Sequence, residues 1–145
     1  MGVDITFFAE HLLPDGTWAV VDDLVPNPIY YAEDPNCADD PRMVPRCLDI
    51  PRRSSLFAVP ANVNNTTTSA PYDYIDLPRG MPDNASLDAK NWLKAWGADA
   101  FASSWLTLAE IDHFDWRKIE HQWFRDMLTP YERFDMVRFI FWFDR

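Results

Sequence analysis

Glycine is scarce, with four residues in a chain of 145. Phosphate cradles of the P-loop or G-x-G-x-x-G kind need several glycines close together, so that mode of nucleotide binding is excluded. Cysteine is rarer still. Cys37 and Cys47 stand ten positions apart, with no CxxC and no histidine beside them. That spacing speaks against a zinc or redox centre. No apolar run approaches the roughly 18 residues that a membrane helix needs, and no basic-then-apolar leader opens the chain. The sequence therefore predicts a cytoplasmic protein with free thiols and no membrane contact. Basic residues are also few, 13 against 23 acids, for a formal net charge of −10. Such a surface repels phosphate backbones, which excludes direct nucleic-acid binding. G-x-S-x-G and H-E-x-x-H are absent as well. Glu110 and His113 form one ExxH pair, but a di-metal bundle site needs a second. Neither a metal nor a cofactor is implied.

Aromatic residues are abundant: seven Trp, ten Phe and five Tyr, in a composition that is 48% hydrophobic. Each buried ring removes about 150–250 Å² from water. A domain of this size has a real core but cannot hide every ring. The surplus points to a groove or to an interface between two copies of the chain.

Hydrophobic periodicity organises the chain as one domain over residues 1–145. Val3, Ile5, Phe7 and Ala9 alternate as in a strand, Pro14-Asp15-Gly16 is a turn, and Thr17 to Val21 reads as a second strand with Trp18 and Val20 on one face. Residues 22–53 carry six prolines and form a long irregular, Asp-rich excursion. Ser54 to Val63 reads as a short helix capped by Ser54 or Ser55 and weakened by Pro60. Asn64 to Ser69 is a polar tip, and Pro78-Arg79-Gly80-Met81-Pro82-Asp83 is a rigid loop. Ser86 caps a helix over Leu87–Trp96, which Gly97 stops. Thr107 to Glu110 is a capping box. Trp116, Ile119, Trp123 and Met127 recur at helical spacing up to Pro130. The run from Met136 to Phe143 is apolar on both faces, as a central strand is. The predicted fold is α+β: a small antiparallel sheet, made of the N-terminal hairpin and a central C-terminal strand, covered by helices and carrying a long Pro-rich loop.

Three functions fit these features. The first is non-catalytic binding of a small nucleotide-like ligand. Arg79, Asp83, Ser103, Ser104 and Asp99 gather at tight turns, with Trp96 and Trp105 near in sequence. Arginine clamps anions, indoles stack on bases, and Ser and Asp fix hydroxyls and exocyclic amines. Loop capping is the plainer use of the same residues. The second is an acidic inhibitor that imitates nucleic acid to block a host defence protein. Ten acids stand against Arg42 and Arg46 in residues 1–50, although solubility alone accounts for such a surface. The third is a nucleotide hydrolase using Asp99, Asp112 or His113.

Several blocks carry a resemblance: Met1-Gly2-Val3-Asp4-Ile5, Leu56-Phe57-Ala58, Pro78-Arg79-Gly80-Met81-Pro82-Asp83, Trp96-Gly97-Ala98-Asp99-Ala100, Ser104 to Glu110 and Val137 to Asp144. In these the chain resembles a family of small proteins found in bacteria and their phages. The resemblance implies a phage-type accessory protein, with sequestration of a host immune signal as one role, rather than a particular activity. The family pattern has His where Thr6 stands and His-Ser where Phe101-Ala102 stand. Those departures point away from catalysis here.

Overall fold

Apolar side chains at odd and even positions of the first and last strands demand cover on two sides. A computed structural model of the chain describes residues 3–67 and 70–145. Met1 and Gly2, in the first block of the resemblance, and Thr68 and Ser69, in the polar tip, lie outside the described residues. The fold is α+β; the described residues form four α-helices, a four-stranded antiparallel sheet and a two-stranded one. In chain order the elements are β1 (Asp4–Leu12), β2 (Trp18–Val20), β3 (Leu24–Pro26), β4 (Met43–Pro45), α1 (Ser54–Ala61), α2 (Leu87–Trp96), β5 (Ala100–Thr107), α3 (Leu108–His113), α4 (Gln122–Met127) and β6 (Val137–Asp144). The main sheet runs β2-β1-β6-β5, so the N- and C-terminal strands are its two inner members. No helix among the described residues is long and apolar enough to cross a membrane.

Register divides the core in two. Phe7 and Ala9 lie opposite Phe141 and Phe139, and these residues pack with Leu56 and Val59 of α1, Ile111 of α3 and Phe124 of α4. On the other side, Phe8 lies opposite Ile140, and Trp142 joins them against Ala89 and Trp92 of α2 and Val44 of β4. Phe7 stacks on Phe139 with centroids 5.3 Å apart, and Trp92 meets Trp142 edge-on at 5.5 Å. Such pairs add about 0.5–1.5 kcal/mol beyond the area they bury.

The Pro-rich excursion is folded rather than loose. Its β3–β4 hairpin places buried Val44 in the second core. The Leu48 N–H donates to the Phe7 carbonyl at 2.9 Å, which covers the outer edge of β1 beyond the end of the three-residue β2. Proline suits this segment because an edge has ladder positions to spare for a residue without an N–H.

Local chemistry explains most of the helix ends. The Ser86 side chain accepts from the Ala89 N–H, and Gly97 closes α2 at φ 58°. Thr107 and Glu110 make both bonds of the capping box. Two expectations need correction. No side chain caps α1, whose N-cap position is Arg53 and which ends at Ala61; Ser55 is buried and its Oγ meets His121 Nε2 at 2.6 Å. The helical spacing from Trp116 to Met127 is split. A 3-10 turn, Trp116–Ile119, closes with Glu120 in the left-handed region, and the His121 N–H reaches back to the Trp116 carbonyl. That closure ends one helix before α4 begins.

Residues 100–105, expected at tight turns, belong to the edge strand β5. A one-residue bulge between Phe101 and Ser104 hides its alternation. Ala102 sits in the bulge at φ 52°, a conformation costing an alanine roughly 1–2 kcal/mol. Ala102→Gly should change stability by less than about 0.5 kcal/mol, since relief of strain offsets the added freedom of the unfolded chain. Ala102→Val should lose roughly 1–2 kcal/mol, because a β-branched residue tolerates that region least. Urea denaturation of the two variants checks this.

Candidate functional site

The bulge decides which way Trp105 points. Phe101 and Ser104 face the first core, opposite Phe143 and Phe141; Trp105 then falls opposite Ile140 and faces the second side. Without the extra residue, Trp105 would share the face of Phe101. On that second side the row Thr107–Arg138–Glu10 crosses three strands, and Trp18 extends from β2.

Glu10 and Arg138 are an ion pair sealed inside the sheet, with 0% and 3% of their surfaces exposed. Arg138 Nε and Nη2 both donate to Glu10 Oε1, at 3.0 and 2.8 Å, and Nη1 donates to Asn84 Oδ1 at 2.9 Å. The second carboxylate oxygen of Glu10 accepts from the Ser86 N–H at 2.8 Å. One buried acid thus holds a strand, a loop and the start of α2. Desolvating two charges is tolerable only when their hydrogen bonds are met in this way.

Indoles and guanidinia alternate outward from this pair. Arg138 lies 3.9 Å from the centre of the Trp18 ring and 5.9 Å from that of Trp105, and Arg79 lies 4.7 Å from Trp105. The ladder Trp18–Arg138–Trp105–Arg79 walls a cleft of about 610 Å³, with Met81, Pro82, Asp83, Asn84, Thr107 and Met136 completing its lining. Trp18 and Trp105 are half-buried, so part of each ring faces the cleft.

Arg79 is bound into a strap over the edge of β5. Its Nη1 donates to Glu110 Oε1 at 2.9 Å and to the Trp105 carbonyl at 3.1 Å; Nη2 donates to Glu110 Oε2, and Nε to Asp76. Its own N–H bonds Ser104 Oγ, and the Gly80 N–H bonds the Ser103 carbonyl. The hydrogen bonds from Arg79 hold the Glu110 carboxyl down to about 2, against burial, which acts the other way.

Of the residues singled out from sequence, Arg79, Asp83 and Trp105 meet at this cleft. Ser104 is buried beneath the strap, and Ser103 contributes its carbonyl to it. Trp96 packs on the second core with a buried indole N–H that has no partner among the described residues, and Asp99 is exposed before β5; neither lines the cleft. Carboxylates of Asp76 and Glu110 already take Arg79, the residue read from sequence as an anion clamp. Sequence reading missed Trp18, Asn84 and Arg138 as lining residues. A detectable signal existed: Glu10 and Arg138 are opposite charges inside two strands that are largely apolar on both faces.

Asp112 and His113 lie elsewhere, on an open bowl of about 740 Å³ near α3 and α4, where Asp112 pairs with Arg125. Asp99 is not among the residues around it. Among the described residues no group of three His, Cys, Asp or Glu is arranged to hold a metal ion. Cys47 is unreactive as a thiolate, because burial pushes its thiol up to about 11. No family model, curated protein or solved structure matches the chain.

Two outcomes are expected. Glu10→Gln should cost roughly 3–5 kcal/mol by leaving the Arg138 charge buried and uncompensated, whereas Glu10→Met with Arg138→Leu should recover most of that loss; a urea double-mutant cycle reads both. The depressed Glu110 carboxyl stabilises the folded strap fully above the ordinary value of 4.5, and that contribution fades as pH falls from there toward about 2. Exchange of the Gly80 amide should therefore quicken over that acid range in the native chain and show no such step in Glu110→Gln.

Proposed function

We propose that the chain is a non-catalytic binding protein that holds a small nucleotide-derived molecule in the Trp18–Trp105 cleft. The observation that carries this reading is the ladder's position. Two half-buried indoles, each beside a guanidinium, line an open recess, with ring surface left toward it. A flat heterocycle gains about 1–3 kcal/mol from stacking on such rings. Asp83 and the Asn84 amide stand at the rim, suited to exocyclic amines and ring nitrogens. Nothing in the cleft lining supplies a nucleophile–base pair, so retention rather than turnover is the chemistry it favours. With the resemblance to phage proteins, the biological role proposed is sequestration of a host defence signal.

The panel to test is nucleobases, nucleosides and nucleotides, followed by calorimetry and by quenching of tryptophan fluorescence. At least one member should bind, and Trp18→Ala or Trp105→Ala should weaken it about tenfold or more. Absence of binding at millimolar ligand, or equal affinity in the variant lacking both indoles, would defeat the proposal.

A second reading, an acidic inhibitor of a nucleic-acid-binding protein, rests on a different observation. Of the ten acids in residues 1–50, Asp4, Glu10 and Asp22 are engaged by Arg52, Arg138 and Tyr131. The remaining seven make no ion pair among the described residues. If that surface is the interface, converting Asp23, Asp39, Asp40 and Asp49 to Asn together should release a basic partner in a pull-down while the nucleoside panel is unaffected.

A further inference from the structure

We infer that the cleft selects the uncharged base-and-sugar part of its ligand and discriminates against a phosphate beside it; this rests on the proposal that a heterocycle binds there at all. The charge inventory carries the inference. Two guanidinia face the cleft, and both are already neutralised. Arg79 commits four of its five N–H donors, three of them to carboxylates of Glu110 and Asp76. Arg138 gives two to Glu10 and one to Asn84.

Asp83 adds an unpaired carboxylate at the rim, so four acids surround two guanidinia. Lys90 stands outside the lining, with its ammonium given to the Asp83 carbonyl at 2.6 Å. Counting it still leaves the acids in excess. The nearest helix start is partly taken as well. Glu10 already takes the Ser86 N–H, and the Ser86 side chain takes that of Ala89. An incoming phosphate therefore meets like charge, with seven of the ten guanidinium N–H donors occupied. A neutral ring meets indole surface and loses nothing to those carboxylates.

The experiment is calorimetry with adenosine, guanosine, cytidine and uridine, each beside its 5′-monophosphate, at roughly 0.05 and 0.5 M salt. The preferred nucleoside should bind about tenfold tighter than its monophosphate at low salt, and the gap should narrow at high salt as repulsion is screened. Asp76→Asn removes one of the charges at an exposed position outside the cleft lining, while Glu110 still holds Arg79 and the asparagine keeps an oxygen for its Nε. This variant should keep nucleoside affinity and shrink the gap roughly twofold. A monophosphate that binds as tightly as its nucleoside, or a gap indifferent to both salt and charge removal, overturns the inference while leaving heterocycle binding intact. If neither nucleosides nor monophosphates bind, the parent proposal fails and takes this one with it.

Discussion

Burial of both faces of the β1–β6 pair is the constraint on which the rest of the molecule depends. Ring after ring on these two strands must be covered twice, once by α1, α3 and α4 and once by α2 and the β3–β4 hairpin. Within that doubly covered pair sits one ionic exception, Glu10 with Arg138. Its carboxylate has two oxygens to satisfy, and it satisfies them across elements: one takes the guanidinium from β6, the other the backbone at the start of α2. The pair therefore fixes how the second layer lies on the sheet. Neither partner can move without leaving a desolvated charge, which is why a buried polar network specifies geometry even where its net contribution to stability is small.

The same pair creates the cleft. Arg138 is long enough to satisfy Glu10 and still present its flat face to Trp18. Trp105 arrives beside it because the bulge at Ala102 resets the alternation of β5, at the cost of a left-handed alanine. Arg79 closes the row from the strap, held by Glu110, which also caps α3. Each cation in the row is thus positioned by an acid from a different element. That arrangement gives rigidity to the walls and strips them of net positive charge. Recognition in such a recess falls to ring surface and directional hydrogen bonds rather than to long-range attraction of an anion.

Much of the architecture was legible in the residues. The alternation of Val3 to Ala9, the two-sided apolar character of Val137 to Phe143, the Ser86 cap, the Gly97 stop and the Thr107–Glu110 box all act within a few positions of one another. Local sequence carries such signals directly. What was not legible has a common cause. β5 was hidden because a bulge breaks its period, and the helix from Trp116 onward was overextended because apolar spacing says nothing about a left-handed Glu120. The folding of the excursion is not legible because Val44 and Leu48 find partners some forty positions away, in α2 and β1.

The candidate site shows the same division. By itself the sequence determined the composition of the recess: tryptophans in surplus, arginines few, acids dominant, and a rigid Pro-Arg-Gly-Met-Pro-Asp loop to carry some of them. Tertiary structure alone decided which of these residues meet. Trp96 and Asp99, close to Trp105 along the chain, face elsewhere, while Trp18 and Arg138, separated by most of its length, stand against one another. The physical reason is that antiparallel register joins the two ends of the polypeptide side by side. The partner of the buried charge is set by that register, and the ring beside it by the bulge in β5, not by proximity in sequence.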